Sequence, residues 1–414
     1  HNLYLAVRGM QGVMGVVGIP SRYYPTLEVF EKNLMISILN ECGLILERRR
    51  FREEKLAIEL ETQQERLRSN LLRAIRFEHP DYIPMDFVIN PSCWSTYPQQ
   101  ELLELMQSHP HLFPNFTAPP LPYHPPIPQV ARADAPYTDD FGCVWQTTLD
   151  GITGTVIGHP LEDWESFHTY QAPDPQVCMG IGPVNWNREA QNIQAQKRDF
   201  GFARGGLRHG HTFLQLCDIR GYENLMYDMA DEEERLWELM DLVEQFNLSI
   251  IRRYVSLGVD LMGYPEDLGC QTGPMISPEF FRKYILPSYK RLIKPALDAG
   301  IGIHMHSDGD IRLLCDDLIG SGVQVINLQD LVNGVDWIAK TFKGKICVDL
   351  DIDRQRITAQ GTPEQIDQLI RTEIETLSTP QGGLSMTYGL YPGVPLENVK
   401  ALMDAMERYM FFYD

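Results

Sequence analysis

The chain has 414 residues, of which 43% are hydrophobic and 22% charged, and this composition is typical of a globular protein with two or three domains or of one large α/β barrel with an appended segment. The formal net charge of −20 argues against a nucleic-acid partner, because binding to a phosphate backbone needs a basic surface. The sequence contains no run of about 18 apolar residues, so we predict no transmembrane helix.

The cysteines and the start of the chain give two further expectations. The eight cysteines form no Cys-x-x-Cys pair, which argues against a disulfide scaffold or a four-cysteine zinc module and favours a reducing cytoplasm. The chain begins at His1 with no methionine and no visible signal peptide, which suggests a fragment.

The first 76 residues differ in charge from the rest of the chain. They carry 12 Lys or Arg and 9 Asp or Glu, whereas the remainder carries 24 and 47, and this difference indicates two modules of different origin. Alternating hydrophobicity in Leu3–Val7 and the apolar run Gly12–Ile19 predict two strands joined at Gly9-Met10-Gln11.

A helix is predicted from Leu27 onwards, because apolar residues then recur at helical spacing, and it is expected to continue through residues 47–75. Its later apolar residues fall near the a and d positions of about three heptads: Leu56, Leu60, Leu67, Leu71 and Ala74. This spacing favours a coiled coil that joins two copies into a homodimer. The alternative is a solvated helix packed on its own domain.

This first segment resembles the cytoplasmic part of the osmosensing potassium-transport sensor histidine kinases. The stretches that carry the resemblance are Leu3–Gly9, Gly12–Ile19, Asn33–Leu46 and Gln64–Ile75. The resemblance implies a partial GAF-like segment at residues 1–46 and a linker helix at 47–75. Kinase activity is not predicted, since His79 stands in a different sequence context from the family's phosphorylated histidine and no Gly-rich ATP lid follows. A natural fusion and a gene-model artefact are both open explanations.

The main domain is predicted to comprise residues 76–414. It begins with a short strand at Ile83–Phe87, followed by a stretch rich in proline and aromatic residues at 88–140 that we interpret as an irregular cover over the barrel. Residues Phe141–Gln146 and Gly154–Ile157 predict a hairpin.

Strands and helices then alternate along the chain. The predicted strands are Phe213–Leu216, Val259–Met262, Ile301–Met305, Val323–Leu328, Lys345–Val348 and Leu384–Thr387, and the predicted helices are Glu223–Leu257 (a pair), Pro278–Ala299, Ile311–Leu318, Val335–Phe342, Pro363–Leu377 and Pro395–Met410. This order is typical of a parallel α/β fold. Because no Gly-rich phosphate loop follows a strand, a (β/α)8 TIM barrel is favoured over a dinucleotide-binding fold.

Several predicted strands end in polar residues, and in such a barrel these ends meet in one cleft. His306 and Asp308 are two residues apart on one strand, so their side chains point to the same side and could hold one cation. Glu266 and Asp267 offer a further carboxylate ligand or a general base, with helix capping as the alternative role. His304 is a weaker candidate.

Other candidates follow from their positions in the predicted barrel. Tyr388 follows the last strand and could donate a proton, while Asp86 lies on the first strand. Gln329 and Asp351 follow two other strands, and Trp145 belongs to the aromatic residues that line a substrate pocket or, alternatively, fill the core.

Residues from about 69 to 414 resemble the uroporphyrinogen decarboxylase superfamily. Matching motifs occur in order along the chain: Arg73-Ala74-Ile75, His79–Pro84, Asp140–Trp145, His159–Trp164, Arg220–Leu225, Glu266–Gly269, Ile276–Glu279, His306–Gly309, Asn327–Gln329, Gly361–Glu364, Tyr388–Pro392 and Pro395–Val399. The resemblance implies a (β/α)8 barrel with its site at the carboxyl ends of the strands.

The superfamily comprises decarboxylases and corrinoid-linked methyltransferases, and the resemblance favours the methyltransferases. Uroporphyrinogen decarboxylases carry an Arg-Gln-Ala-Gly-Arg-type motif, which is absent here, and a histidine where this chain has Tyr388. The other branch comprises methyltransferases that move methyl groups between a small substrate or thiol and a corrinoid protein. Its best-known members hold zinc through a His-x-Cys pair and a distant cysteine. This sequence keeps His306 but has Asp308 at the cysteine position, which favours an ether-type substrate over thiol activation.

We therefore predict a cytoplasmic, corrinoid-linked methyltransferase of this superfamily that uses zinc or a similar divalent cation. The predicted metal ligands are His306, Asp308 and Glu266; the predicted catalytic residues are Tyr388, Asp267 and Asp86; the predicted substrate-binding residues are Gln329, Asp351 and Trp145. The predicted partners are a small methyl donor or acceptor and a corrinoid-carrying protein. A metal-free decarboxylase-like lyase and a ligand-sensing signalling module are the alternatives.

Overall fold

A computed structural model describes residues 2–9, 12–20 and 29–413. The chain forms two compact units, residues 1–67 and residues 68–414. Within the described residues, no helix combines the length and the apolar character needed to cross a membrane.

The first unit contains the predicted hairpin. Strand β1 (Asn2–Gly9) pairs antiparallel with β2 (Gly12–Pro20), with Ala6 opposite Val16. Helix α1 (Val29–Arg76) begins in this unit and ends in the next, and it covers the range predicted as a linker helix. The predicted connection at Met10-Gln11 and the predicted helix start at Leu27 lie outside the described residues. The predicted coiled coil and homodimer stay predictions.

The second unit opens with one strand of the main sheet and its cover. These elements are β3 (Met85–Ile89), α2 (Cys93–Thr96), α3 (Gln99–Ser108), β4 (Tyr137–Thr138), β5 (Val144–Gln146) and β6 (Thr155–Gly158). Strand β5 pairs antiparallel with both β4 and β6, so the predicted hairpin is confirmed and gains a third strand.

The remaining elements alternate as the sequence predicts. They are α4 (Trp186–Phe200), β7 (Arg204–Gly206), α5 (Phe213–Arg220), α6 (Tyr222–Asp231), α7 (Glu234–Leu257), β8 (Leu261–Asp267), β9 (Gly269–Cys270), β10 (Gly273–Pro274), α8 (Pro278–Phe280), a π-helical turn (Phe281–Ile285), α9 (Leu286–Asp298), β11 (Gly302–Asp308), α10 (Cys315–Gly320), β12 (Val325–Gln329), α11 (Asp330–Asn333), α12 (Val335–Phe342), β13 (Cys347–Asp351), α13 (Ile357–Gln360), α14 (Pro363–Leu377), β14 (Leu384–Leu390) and α15 (Leu396–Met410).

The main sheet has seven parallel strands in the order β3-β14-β13-β12-β11-β8-β7. The predicted α/β barrel class is confirmed, although seven rather than eight strands occur within the described part of the chain. The predicted strand Phe213–Leu216 is wrong, since these residues begin helix α5. The strand before this helix is β7, whose three residues Arg204-Gly205-Gly206 are too few and too glycine-rich to show an alternating pattern.

Strand β11 shows how the sheet separates core from site. Ile303, Met305 and Ser307 are buried, and the first two belong to the hydrophobic core, whereas His304, His306 and Asp308 alternate with them on the opposite face. We call this second face the inner face of the sheet. In-register pairing places His306 beside Asn327 of β12, and Asn327 beside Asp349 of β13, so one layer of polar residues crosses three strands.

Candidate metal centre

His306 is held in a defined orientation at the carboxyl end of β11. Its Nδ1 hydrogen-bonds Oδ1 of Asn327, and the amide nitrogen Nδ2 of Asn327 donates to the carbonyl oxygen of Asp349 at 2.6 Å. Since the amide nitrogen is committed, Oδ1 must accept, and Nδ1 of His306 carries the proton. The lone pair of the neutral ring is then on Nε2, which lies 3.6 Å from Oδ1 of Asp267 and 3.9 Å from Oδ1 of Asp308.

His209 completes this cluster. It follows the short strand β7, and its Nε2 lies 3.3 Å from Oδ1 of Asp267. One donor atom from each of His209, Asp267 and His306 lies within 4.8 Å of the others, which is close enough for all three to hold one cation. We call these three residues the His–Asp–His cluster. His209 is not among the ligands predicted from the sequence, because the predicted strand, Phe213–Leu216, lies after this residue; the signal present was a His-Gly-His sequence shortly after a Gly-Gly pair.

Burial and neighbouring charges shift the pKa values of all three residues of the cluster. Burial would raise the pKa of Asp267, but the hydrogen bond and charge of His209 and the charge of His306 hold it below its usual range. Burial lowers the pKa of His306 against the opposing pull of Asp308, so the ring stays neutral and its Nε2 lone pair stays free. Burial acts in the same direction on His209, but Asp267 outweighs it and raises that pKa.

The donor set fits a divalent cation. Two imidazole nitrogens and the Asp267 carboxylate form the three-ligand arrangement that zinc accepts, and Asp308 offers a second carboxylate oxygen beside His306. With oxygen donors in place of thiolates, the set also suits harder cations than zinc. Asp267 lies between the two histidines of this donor set, and its predicted role as a general base stays a prediction.

Arg354 fixes the carboxylates next to the cluster. Its Nη2 donates to Asp308 at 3.1 Å and to Asp351 at 2.8 Å. Asp351 is buried, and this burial raises its pKa to about 8 in spite of Arg354. Gln329, which lies beside Asp351 in the sheet, accepts a hydrogen bond from the backbone nitrogen of Gly309 at 3.0 Å. These two predicted substrate-binding residues therefore lie near the cluster, and Gln329 supports the loop after Asp308.

This loop touches the loop after β8. Gly309 has φ +81°, and a Cβ at this position would overlap the carbonyl group of Gly269. The two backbones therefore contact each other directly, immediately beyond the strands that carry Asp267 and Asp308.

Glu266 lies on the other side of its strand, and this placement corrects its prediction as a metal ligand. Its carboxylate is fully buried and accepts hydrogen bonds from the backbone nitrogens at the start of α5 and from the hydroxyl of Tyr289: Thr212 (3.2 Å), Phe213 (3.0 Å), Leu214 (3.0 Å) and Tyr289 (2.7 Å). Adjacent residues of a strand point to opposite faces, so Asp267 reaches the cluster and Glu266 caps the helix.

Tyr388 and Trp145 also lie away from the cluster. Tyr388 is fully buried in the hydrophobic core, where its hydroxyl donates to Oγ1 of Thr358 at 3.2 Å. Trp145 is buried on β5, and its indole nitrogen donates to Asp139 at 2.8 Å. The structure places both side chains in contacts within the protein, and their predicted roles in proton donation and substrate binding stay predictions.

A second polar group occupies the inner face of the sheet. Nε2 of His304 lies 2.8 Å from Oδ2 of Asp349, whose other oxygen accepts a 2.8 Å hydrogen bond from Ser385. Asp86 lies on the same face, 3.7 Å from Arg204, and its side chain is 63% exposed. Desolvation by the surrounding strands raises the pKa of Asp86 against the opposing charge of Arg204. Asp86 is accessible to a small molecule but does not belong to the His–Asp–His cluster.

Comparison with known proteins gives a consistent picture. A family model for uroporphyrinogen decarboxylase (URO-D) matches residues 154–409, which is more than half of the chain. A methylcobamide:CoM methyltransferase, MtbA, from Methanosarcina acetivorans is 22% identical over 43% of this chain and 51% of its own length. A uroporphyrinogen decarboxylase from Thermus thermophilus is 26% identical over 62% of this chain and 72% of its own length. The chain thus spans about half the length of the methyltransferase relative.

A solved structure shares the fold. A methyltransferase from Methanosarcina mazei superimposes with a TM-score of 0.57 and 18% identity, covering 84% of this chain and 99% of that one. The GAF-like resemblance predicted for residues 1–46 is not supported by the comparisons. Fold, strand-end cluster and family match agree for the second unit, and the chain belongs to the uroporphyrinogen decarboxylase family.

Proposed function

We propose that the protein is a metal-assisted methyltransferase that moves a methyl group between a small substrate, either methoxylated or a thiol, and a corrinoid carried by a partner protein. The observation that supports this proposal best is the His–Asp–His cluster at the carboxyl ends of the strands. The methyltransferase relatives and the shared fold support the same reaction class.

In this proposal His209, Asp267 and His306 hold the cation, with Asp308 as a fourth ligand. When bound, a divalent cation there supplies Lewis acidity to an oxygen or sulfur atom of the substrate. The protein contributes orientation: Asn327 fixes the ring of His306, and Arg354 fixes Asp308. Such supporting hydrogen bonds determine how well a ligand set is preformed.

Proton transfer to the leaving group is assigned to Asp351 rather than to Tyr388. Burial raises the pKa of Asp351 to about 8 against the opposing charge of Arg354, and a raised pKa favours the protonated carboxyl group that a proton donor needs. Arg354 joins it to Asp308 in one hydrogen-bonded group. Asp86, which is accessible on the inner face, is assigned to contact with the substrate.

A second candidate function is a metal-free lyase of the decarboxylase type. It is favoured by the Thermus decarboxylase, whose match covers more of this chain than the match to the methyltransferase from Methanosarcina acetivorans does. In that reaction the acidic groups of the inner face, Asp86 among them, would act on the substrate without a cation.

Elemental analysis of the purified protein separates the methyltransferase proposal from the lyase proposal. The proposal expects about one divalent cation per chain in the wild type, its loss in His306→Ala, and its retention in the exposed control His168→Ala. Methyl transfer to a corrinoid, followed by absorbance, should then depend on the bound cation. If the wild type and the His168→Ala control bind no cation after reconstitution, the methyltransferase proposal fails and the lyase proposal takes its place.

A further inference from the structure

Arg208 immediately precedes the cluster residue His209, but its side chain points into the protein. Only 4% of that side chain is exposed. Its Nε donates to the backbone carbonyl of His209 at 3.1 Å, Nη1 donates to Oε1 of Gln215 at 2.6 Å, and Nη2 donates to Asp218 at 3.2 Å. The guanidinium group thus connects the backbone of His209 to helix α5.

A second carboxylate meets the same guanidinium group from the antiparallel sheet of the cover. Oδ2 of Asp139 lies 3.6 Å from Nη1 of Arg208, and the ring of Trp145 lies 5.5 Å from the guanidinium carbon. Asp139 is itself fixed, because it accepts hydrogen bonds from the backbone nitrogens of Phe141 and Cys143 and from the indole nitrogen of Trp145. The cover therefore presents a rigid acceptor to Arg208.

The backbone of the loop between β7 and α5 is anchored at both sides of His209. Leu207 donates to the carbonyl of Gly263 at 3.1 Å, and Gly210 donates to that of Pro265 at 3.0 Å. The His209 side chain, in contrast, is 51% exposed and meets Asp267 at 3.3 Å. The direction of the His209 ring depends on where its backbone places the Cβ atom, and Arg208 helps to hold that backbone through the carbonyl of this residue.

We infer that Arg208 is a positioning residue, which fixes His209 for cation binding by linking its carbonyl to Gln215, Asp218 and the Asp139–Trp145 turn. This inference rests on the proposed function in one respect, since the cation is the ligand that the positioned imidazole receives. Residues that hydrogen-bond a ligating side chain typically change metal affinity by about 10- to 100-fold, and we expect an effect at the lower end of this range, because Arg208 bonds the backbone of His209 rather than its ring.

The test compares Arg208→Lys with a matched control, Arg220→Lys. Arg220 is also buried, pairs with Asp228 at 2.7 Å and lies 4.6 Å from the ring of Trp164, but it does not adjoin a cluster residue. Lysine keeps the charge and removes the planar fork of donors in both variants. The full chain is titrated with Co²⁺ and with Zn²⁺, and thermal unfolding is recorded for each variant.

We expect Arg208→Lys to bind Co²⁺ at least tenfold more weakly than the wild type, with an altered Co²⁺ absorption spectrum. Arg220→Lys should lower the unfolding temperature and leave the Co²⁺ affinity unchanged. Equal Co²⁺ affinities in the wild type and Arg208→Lys would overturn the inference. Should Arg208→Lys not fold, Asp218→Ala removes one acceptor of the network and is expected to weaken Co²⁺ binding several-fold.

A second measurement decides the inference even if the wild type binds no cation. Hydrogen–deuterium exchange at the Cε1 position of each histidine, read by mass spectrometry, reports how well a ring is held and shielded. Positioning by Arg208 predicts a several-fold faster exchange at His209 in Arg208→Lys, with no change at the distant His168 and none in Arg220→Lys. Unchanged exchange at His209 would show that Arg208 does not position this ring. If the wild type binds no cation but exchange at His209 is faster in Arg208→Lys, the proposed function is contradicted and the positioning role of Arg208 stands.

Discussion

The Nε2 atom of His209 lies 3.3 Å from Oδ1 of Asp267, which joins the loop after β7 to the last residue of the neighbouring strand β8. His306 of the next strand lies 3.6 Å from the same oxygen. Three adjacent strands of a parallel sheet thus each contribute one donor to a single point, and Asp267 is the centre of the arrangement.

His209→Ala is expected to reduce the affinity for a divalent cation at least tenfold, because a cluster of three donors loses one of its two imidazoles. Isothermal titration with Zn²⁺ measures this change. The control is His168→Ala, which removes an exposed histidine outside the cluster and should bind Zn²⁺ as the wild type does. Equal affinities in all three proteins would remove His209 from the site.

Asp267→Asn and Glu266→Gln should affect different properties although the residues are adjacent: the first mainly cation binding, the second mainly the free energy of unfolding. Asp267→Asn is expected to abolish cation binding and to lower the free energy of unfolding of the cation-free protein by about 0.5–1.5 kcal/mol, because the amide can keep the hydrogen bond from the Asp308 backbone but loses the charge that faces His209. Glu266→Gln should lower the free energy of unfolding by about 2–3 kcal/mol, because a charged acceptor of three helix-terminal N–H groups and one hydroxyl becomes neutral. Urea denaturation of the cation-free proteins measures both. A stable Glu266→Gln variant that binds no cation would contradict this assignment.

Tyr388→Phe is expected to keep wild-type methyl transfer. Its hydroxyl lies in the core and bonds Thr358, so its removal should cost about 0.5–1.5 kcal/mol of stability and nothing in the chemical step. Tyr227→Phe, at an exposed position, serves as the control for both measurements. A large loss of kcat without a loss of stability would restore Tyr388 as a catalytic residue.

Glu373→Gln should alter how stability depends on pH. Glu373 is buried on α14, and within the described part of the chain no donor reaches either carboxylate oxygen. Burial and the neighbouring carboxyl group of Asp330 raise its pKa well above the ordinary value. The folded state therefore holds a proton that the unfolded chain releases above pH ~4.3.

For such a group, the free energy of unfolding is highest below the unfolded-state pKa and falls, by up to about 1.4 kcal/mol per pH unit, as pH rises towards the folded-state pKa. Glutamine carries no ionisable proton, so the variant should gain stability relative to the wild type from pH 5 to pH 8. Urea denaturation across that range checks this difference. The exposed Glu375→Gln on the same helix should show no such trend.

The sequence predicted the helices and strands of the second half well because each had a strong pattern. Val335–Phe342 and Pro363–Leu377 agree with the structure at both ends, and His306 with Asp308 was placed on one face by the two-residue period of a strand. The sequence pattern does not distinguish Asp267 from Glu266, because which of two adjacent residues faces inward depends on where the strand begins.

Other parts of the site could not be predicted for physical reasons. His209 follows a strand of three residues, which is too short for a hydrophobic period, and its partner Asp267 lies far along the chain. Tyr388 was expected to follow the last strand, but β14 extends to Leu390, so this residue lies within the strand and faces the core. The support of His209 by Arg208 similarly depends on the distant Asp139 and on its turn within the cover.

The contact between Gly309 and Gly269 limits how this site can diverge among relatives. Because neither backbone leaves room for a Cβ at the point of contact, neither position 309 nor position 269 can accept a side chain unless the opposite loop moves. A mutant library randomised at position 309 alone should therefore return glycine, whereas new specificities would come from positions farther along either loop. The mouth of the site would then evolve by paired changes in two loops joined at one fixed point.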